Sequence, residues 1–301
     1  MSEGIQQLTS AQVPSASLAA ELLLLHVLGR DRTFLYAHPE ADLTLEQERA
    51  YLHLLTRRAA GQPTQYLTRR QEFWGLLLRA EPGVFIPRPE TEHVVEVALE
   101  IVRERLAKPA ARIVDVGTGT GCIALALASE LPQAEILATD ISDEALALAR
   151  VNAEALGLTD RVRLVKSDLF GAFLSHHGSP AADFDTRSFD LVVSNPPYIS
   201  PEEADRLPRE VREHEPAAAL FSPDDGLEIT RRLIGQAAVL LSGPDKGGPV
   251  RRSLGEGGWI VLELGYNMSG RVRALLGEGW THVETTNDLR GIPRVLAAQK
   301  A

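Results

Sequence analysis

The sequence is poor in the residues that build disulfides and metal centres. Cys122 is the single cysteine among 301 residues, so an internal disulfide and a thiolate cluster are both excluded. The eight histidines show no paired spacing typical of metal ligands, and we predict no metal site. Because Cys122 stands where a small apolar residue would pack, we expect a buried, unreactive thiol.

Long apolar runs and an excess of positive charge are also absent. The most apolar early run, residues 22–28, is too short to span a bilayer, and the polar N-terminus does not resemble a signal peptide. We therefore expect a cytoplasmic protein without a membrane partner. The formal net charge is −10, whereas proteins that bind phosphate backbones are usually basic. We expect no direct nucleic-acid partner, and we expect a monomer.

What is present is an ordinary globular composition, with 44% hydrophobic and 24% charged residues, in a chain long enough for two domains. The sequence pattern of residues 1–75 predicts a helical recognition module. Ser17 is a candidate cap for a helix over 18–28 that Gly29 stops, and a second helix is predicted over 45–60, ending at Gly61. Residues 76–92 are predicted to be a hairpin and linker, and residues 93–301 the second domain.

The segment between the two predicted domains is rich in aromatic residues and proline. A hairpin is indicated around residues 72–75, and Pro87-Arg88-Pro89 predicts an extended stretch that leads into a helix at Glu90. Two interpretations stand side by side, a proline-stiffened linker or a segment that lies across the mouth of the next domain's site. Taken alone, this stretch favours the linker.

From about residue 111 the pattern becomes strand–helix alternation, which is typical of an α/β fold with a parallel sheet. The strands are predicted at 112–116, 135–139, 162–165, 189–193, 259–264, 282–285 and 294–297. Residues 175–187 and 242–258 have the composition of surface insertions, and we assign them no function.

A glycine-rich turn follows the first of these strands, and an acid, Asp140, ends the second. This arrangement is typical of a nucleoside site, in which the glycines permit close approach and the acid accepts hydrogen bonds from the ribose. The third glycine comes too early for a dinucleotide motif, and no P-loop lysine follows. Asp115 beside the turn suits a cationic ligand such as S-adenosylmethionine, and Asp168 with Leu169 is placed to meet the adenine. The predicted cofactor-binding residues are Asp115, Gly117, Thr118, Gly119, Thr120, Gly121, Asp140, Ile141, Asp168, Leu169 and Asn195.

The tetrapeptide Asn195-Pro196-Pro197-Tyr198 follows a buried apolar run. Two consecutive prolines end the strand and form a stiff turn at the carboxyl end of the sheet. The Asn195 Oδ1 and the Pro196 carbonyl are two acceptors that suit the two hydrogens of a planar –NH2 group, and Tyr198 supplies an aromatic face. An ordinary turn is the plain alternative. We predict Asn195, Pro196 and Tyr198 as catalytic and, with Pro197, as substrate-binding.

Three motifs resemble the HemK/PrmC family of protein-(glutamine-N5) methyltransferases, which modify peptide chain release factors. They are Asp-Val-Gly-Thr-Gly-Thr-Gly at 115–121, Asn-Pro-Pro-Tyr at 195–198 and Ile-Pro-Arg-Pro-Glu-Thr-Glu at 86–92. Shorter matches include Glu215-Pro216, Asp225-Gly226-Leu227, Glu263-Leu264-Gly265 and Asp288-Leu289-Arg290-Gly291, so the resemblance covers nearly the whole chain.

The resemblance implies a class I methyltransferase domain, Rossmann-like with a seven-stranded mostly parallel sheet, joined by a β-hairpin to a helical N-terminal domain. It implies methyl transfer from S-adenosylmethionine to the glutamine of a Gly-Gly-Gln motif in release factors, which supports translation termination. Arg88 and Glu90 are also predicted as substrate-binding, and they are expected to order the substrate loop or the cofactor. The alternatives are a ribosomal protein as the glutamine substrate, an exocyclic amine of nucleic acid, and a non-catalytic cofactor-binding protein.

Overall fold

The computed structural model describes residues 1–174, 189–241 and 257–301. The predicted insertion at 175–187 and most of that at 242–258 lie outside these ranges. The described α-helices are α1 (Ser2–Ser10), α2 (Ala16–Leu28), α3 (Arg32–Ala37), α4 (Leu45–Ala59), α5 (Thr64–Thr68), α6 (Glu92–Glu100), α7 (Cys122–Glu130), α8 (Asp143–Ala155), α9 (Gly171–Leu174), α10 (Arg209–His214), α11 (Ala217–Leu220), α12 (Glu228–Leu241) and α13 (Ser269–Leu276).

Strands β1 and β2 form a hairpin, and the other described strands form one sheet. Their bounds are β1 (Arg70–Phe73), β2 (Leu76–Arg79), β3 (Arg112–Val116), β4 (Glu135–Asp140), β5 (Val162–Lys166), β6 (Leu191–Ser194), β7 (Trp259–Glu263), β8 (Trp280–Asn287) and β9 (Pro293–Lys300). The seven-stranded sheet has the order β5-β4-β3-β6-β7-β9-β8. Strands β3 to β7 pair in parallel, and β9 runs antiparallel to both β7 and β8.

The predicted α/β class with a mostly parallel seven-stranded sheet is therefore confirmed. The central strands β6 and β7 are buried at every position, as expected for a sheet that helices cover on both faces. Alternate residues of the strands enter two separate apolar clusters. Val193 and Val261 pack with α6 and α7 on one face, whereas Val192 and Ile260 pack with α12 and α13 on the other.

The N-terminal helices pack around a small core of their own. Leu8, Leu23 and Leu55, from α1, α2 and α4, are at most 1% exposed. Helix α2 ends at Gly29 as predicted, but the prediction that Ser17 caps it is wrong. The helix already begins at Ala16, because Ser15 takes the preceding position in a left-handed conformation, without a capping hydrogen bond from its side chain.

The hairpin β1–β2 connects the helical module to the sheet domain. Its two-residue turn, Trp74-Gly75, has positive φ at both positions, which is the geometry that a tight hairpin requires. The Trp74 amide donates to Glu92 over 2.8 Å, and the indole donates to Glu130 over 3.2 Å. The backbone N–H of Arg79 donates to Asn152 Oδ1 over 2.7 Å. The hairpin is thus fastened to α6, α7 and α8. Its first strand lies before the predicted boundary at residue 75.

Candidate active site

The carboxyl ends of β3, β4 and β6 open into a cavity of about 600 Å³. Strand β3 lies between β4 and β6, and the chain crosses from one side of the sheet to the other at this point. Open α/β sheets bind ligands at such a switch point, and the volume is in the range of small-molecule and cofactor sites. The cavity is therefore the candidate active site.

The glycine-rich turn forms one wall of this cavity. Gly117, Gly119 and Gly121 all adopt positive φ, so the backbone folds tightly between β3 and α7. Asp140 at the end of β4 accepts from the Gly119 N–H through Oδ2 and from the Ser142 N–H through Oδ1, each over 2.9 Å. Burial raises the pKa of this carboxyl, against those hydrogen bonds. The contacts fix the carboxylate at the cavity wall.

Asp115 lies behind the same turn and is fully buried. Its Oδ2 accepts from the Thr118 hydroxyl over 2.6 Å and from the Ala124 N–H over 3.2 Å. Among the described residues, its Oδ1 has no hydrogen-bond partner, and neither has the Thr120 hydroxyl. Burial raises the pKa of Asp115 to about 7. This acid holds the turn from behind, and two buried polar atoms beside the cavity are left unpaired.

The Asn195-Pro196-Pro197-Tyr198 turn also lines the cavity. The chain beyond it is held by a parallel bridge between Ile199 and Phe221, with hydrogen bonds of 3.1 Å and 2.9 Å to the Leu220 carbonyl and from the Ser222 N–H. A Cβ at Gly226 would approach the Tyr198 carbonyl to 2.6 Å, so only glycine allows this close contact. These neighbours make the turn rigid.

The Asn195 side chain is connected to two residues from distant parts of the chain. Its Nδ2 donates to the Thr91 hydroxyl over 3.2 Å, and that hydroxyl donates to Glu263 Oε2 over 2.6 Å. The Tyr198 hydroxyl lies 3.5 Å from Glu263 Oε1. Asn195 Oδ1 accepts no hydrogen bond from any residue that the structure describes. The amide oxygen is thus available to a ligand in the cavity.

Glu263 is the buried centre of this group, only 5% exposed. Burial raises its pKa to about 7, against the hydrogen bond from Thr91. Burial also raises the pKa of Tyr198 above the ordinary value of a tyrosine, and the neighbouring Glu263 adds to this shift. Tyr198 is therefore a neutral hydroxyl in this site.

The linker before α6 takes part in the cavity wall through Val84, Phe85 and Pro87. The tertiary structure therefore favours a segment that lies across the mouth of the site over a plain proline-stiffened linker, which the sequence alone favours. Arg88 itself forms an ion pair with the buried Glu215 and lies over the Phe85 ring, 4.7 Å from its centroid. Arg88 therefore fastens the linker to the segment before α11. Pro216 of that segment and Ala218 and Ala219 of α11 also line the cavity.

The far end of the cavity carries a charged pair. Asp168 and Arg232 both line the cavity, and their carboxylate and guanidinium groups are 2.7 Å apart. Leu169, beside them, adopts a positive φ of 50°, which is rare for a residue with a branched side chain. Asp168 thus already has a cationic partner from α12, and its contact with an adenine stays a prediction.

The cavity brings together most of the predicted site residues, namely those at 117–120, 140–141, 168–169 and 195–198. Asp115, Gly121, Arg88 and Glu90 do not line it, and their direct contact with a ligand stays a prediction. Sequence reasoning gave no role to Thr91, Glu263, Glu215 or Arg232. Thr91, Glu263 and Glu215 lie in short motifs that resemble the family, and this resemblance was the sequence signal that could have found them. No sequence signal pointed to Arg232. Among the described residues, no group of three His, Cys, Asp or Glu side chains is arranged to hold a metal ion.

Comparisons with known proteins agree with this geometry. A family model described as the PrmC N-terminal domain matches residues 1–68, and one described as the methyltransferase small domain matches residues 75–210. The release factor glutamine methyltransferase of Koribacter versatilis is 39% identical over 296 residues, which are 98% of this chain and 95% of that protein. The chain belongs to the release factor glutamine methyltransferase family. The resemblance seen in the motifs is confirmed.

Further relatives support the same assignment. The release factor glutamine methyltransferase of Escherichia coli K12 is also 39% identical, over 97% of this chain and 95% of its own. The solved hMettl16 catalytic domain, in complex with MAT2A 3'UTR hairpin 1, gives a TM-score of 0.54 at 19% identity over 81% of this chain and 79% of that chain. At this identity the likeness shows the fold alone.

The family uses S-adenosylmethionine as its methyl donor, and the residues present fit this group. The cavity has room for a nucleoside with an amino-acid tail. The fixed Asp140 carboxylate suits ribose hydroxyls. Thr120, whose buried hydroxyl has no hydrogen-bond partner among the described residues, lines the cavity and offers an acceptor to an ammonium group. The chain is therefore an S-adenosylmethionine-dependent methyltransferase.

Proposed function

We propose that this protein transfers a methyl group to the side-chain amide N5 of a glutamine, the glutamine of the Gly-Gly-Gln motif in peptide chain release factors. The observation that carries the proposal is Asn195 Oδ1, which accepts no hydrogen bond from a described residue, in a cavity that Pro196 and the fixed Asp140 also line. The names of relatives at 39% identity over nearly their whole length support the same substrate.

The proposed role of the turn is to hold the carboxamide of the substrate. Asn195 Oδ1 and the Pro196 carbonyl would accept the two amide hydrogens, which turns the nitrogen lone pair toward the cofactor end of the cavity. An amide nitrogen is a weak nucleophile, so positioning and stabilisation of the developing positive charge supply the catalysis. The Tyr198 ring packs along the wall as a flat surface for the amide plane.

The bound cofactor supplies an electrophilic methyl group on a sulfonium. We propose that Asp140 holds its ribose, that Ile141 and Leu169 cover its base, and that the turn at 117–120 approaches its amino-acid tail. The reaction needs no strong base at the nitrogen, because the amide proton is acidic once the nitrogen carries positive charge. The oxygen of Asn195 accepts a hydrogen bond from that proton without taking it up, and the proton passes to solvent after the methyl group has been transferred.

We further propose that residues 1–75 bind the body of the release factor, that residues 76–92 connect the two parts, and that residues 93–301 carry out the transfer. The buried Arg58 of α4 pairs with Glu210 of α10, and Tyr66 donates to the Val84 carbonyl over 2.7 Å. These contacts orient the module against the domain that carries the site. We propose that the protein is a cytoplasmic monomer that does not bind nucleic acid directly, consistent with its net charge of −10. None of the described helices has the length and apolar character needed to cross a bilayer.

Peptide mass spectrometry tests the proposed activity. Purified release factor is incubated with the protein and labelled S-adenosylmethionine, and digested peptides are searched for the mass of one added methyl group. We expect one modified peptide, with the modification on the glutamine of the Gly-Gly-Gln loop. The matched control is release factor with that glutamine changed to alanine, which should remain unlabelled. Label on a ribosomal protein or on nucleic acid, with none on release factor, would reject the proposed substrate.

A further inference from the structure

We propose that Thr91 and Glu263 are positioning residues that set which way the Asn195 carboxamide faces, so that its oxygen and not its nitrogen is turned to the substrate. The inference rests on the proposed function, because it explains how the acceptor in that function is oriented. The observation behind the inference is a pair of hydrogen bonds, which join Glu263 to Thr91 and Thr91 to Asn195.

Each group in this chain of hydrogen bonds has a fixed number of hydrogens to donate. A threonine hydroxyl has one hydrogen and two lone pairs, and a carboxylate has only acceptors. Glu263 is a carboxylate above its raised pKa of about 7, and in this form it takes the hydrogen of the Thr91 hydroxyl at Oε2, over 2.6 Å. The hydroxyl can then only accept from Asn195, so the inference is tested above that pH.

The direction of the hydrogen bond from Thr91 to Glu263 determines which way the Asn195 side-chain amide faces. An asparagine can be turned by 180° about its last bond, which exchanges oxygen and nitrogen with little change in shape. Facing Thr91, the nitrogen finds an acceptor at 3.2 Å, whereas the oxygen would meet the lone pairs of the hydroxyl. The Asn195 Oδ1 is therefore held toward the cavity, where an –NH2 group of the substrate needs an acceptor.

The burial of these groups makes the preference strong. Thr91 is 2% exposed and Glu263 is 5% exposed, so water does not readily replace a lost partner. The charged and titratable groups that act on Glu263 are Arg294 of β9, Glu90 of the linker and Tyr198 of the turn. Arg294 is itself paired with Asp288 over 3.0 Å. Thr91 and Tyr198 thus remain the groups in hydrogen-bond contact with the carboxylate.

Three variants test the inference. Thr91→Val removes the hydroxyl and keeps the shape, Thr91→Ser keeps the hydroxyl, and Thr230→Val makes the same atomic change at a buried threonine of α12 that does not line the cavity. We expect Thr91→Val to lower kcat roughly tenfold or more, as for a misoriented transition-state contact. Thr91→Ser should stay near the wild-type rate, and so should Thr230→Val. The Kd for S-adenosylmethionine should change little in all three.

A second measurement does not depend on turnover. The side-chain amide signals of Asn195 can be identified in nitrogen–proton NMR spectra by their loss in Asn195→Ala. In the wild type we expect slow solvent exchange for the amide proton that Thr91 accepts. Exchange should accelerate at least several-fold in Thr91→Val and not in Thr91→Ser. If Thr91→Val fails to fold, as judged by its thermal transition, the comparison of Thr91→Ser with the wild type is made by the same exchange measurement.

The outcomes separate this inference from the proposed function. If the wild type methylates release factor but Thr91→Val retains full kcat and slow exchange, the orienting role is wrong and the function stands. If the wild type is inactive on release factor, the function fails, and the exchange rates still decide whether Thr91 orients the amide. Fast exchange in the wild type or in Thr91→Ser would overturn the inference.

Discussion

The two ends of the cavity are built in different ways. At the cofactor end, Asp115, Gly119 and Asp140 come from one strand–turn–helix–strand unit, and most of the fixing contacts run to backbone N–H groups. At the acceptor end, Asn195 depends on side chains at positions 91 and 263, the first from a short turn before α6 and the second from β7. The first end is local in sequence, and the second is assembled from distant segments.

This difference indicates how each end tolerates change. A contact to a backbone N–H survives many substitutions of the residue that supplies it, so the cofactor end should depend on a few acids and glycines. A chain of side-chain hydrogen bonds fails when any member is lost. We therefore expect substitutions at the acceptor end to lower kcat sharply. Substitutions at the cofactor end should weaken the binding of S-adenosylmethionine more gradually.

Asn195→Ala should have the largest effect, because it removes the acceptor without touching the cofactor wall. We expect kcat to fall by at least ~10²-fold, comparable to the loss of one positioned transition-state contact. The Kd for S-adenosylmethionine, measured by calorimetry, should stay within a factor of a few. Gln133→Ala, which removes an exposed carboxamide just before β4, is the matched control and should leave kcat unchanged. Normal turnover in Asn195→Ala would contradict the holding role.

Asp140→Ala should have an intermediate effect, and on a different quantity. Losing the ribose acceptor and the tie to Gly119 should weaken the binding of S-adenosylmethionine by roughly tenfold or more, which is about 1.4 kcal/mol. The kcat at saturating cofactor should change much less. Calorimetry and saturation kinetics measure the two quantities separately. An unchanged Kd would show that Asp140 does not bind the cofactor and would break the contrast between the two ends.

The pH dependence of stability tests the cofactor end through folding, and it should leave kcat and the Kd for S-adenosylmethionine out of the measurement. Burial raises the pKa of Asp115 from 3.8 to about 7, so between these values the folded protein holds a proton that the unfolded chain has released. This group's contribution to the free energy of unfolding therefore falls as the pH rises through that window. Asp115→Asn cannot ionise and should lose less stability than the wild type from about pH 4 to about pH 7.

Urea denaturation of the cofactor-free protein at a series of pH values checks this. Asp160→Asn, at an exposed acid before β5, is the matched control and should follow the wild-type curve. A wild-type curve with the same slope as that of Asp115→Asn would mean that the Asp115 carboxyl is ionised in the fold throughout.

Much of the fold followed from local patterns. Strand β3 covers residues 112–116 as the sequence predicted, because an apolar run and the glycine turn that follows it are local signals. The end of α2 at Gly29 also followed from a local signal. The beginning of α2 was missed, since nothing in the sequence distinguishes Ser15 from Ser17 as the last residue before the helix.

The sequence by itself determined the class of fold, the glycine turn with its acid, and the rigid Asn-Pro-Pro-Tyr corner, since each depends on neighbours along the chain. Only the tertiary structure decided that Thr91 and Glu263 meet Asn195, that Arg88 ties down Glu215, and that Arg232 reaches Asp168. These pairs join residues 64 to 172 positions apart. Contacts at such separations are set by how the sheet orders its strands, which no short stretch of sequence encodes.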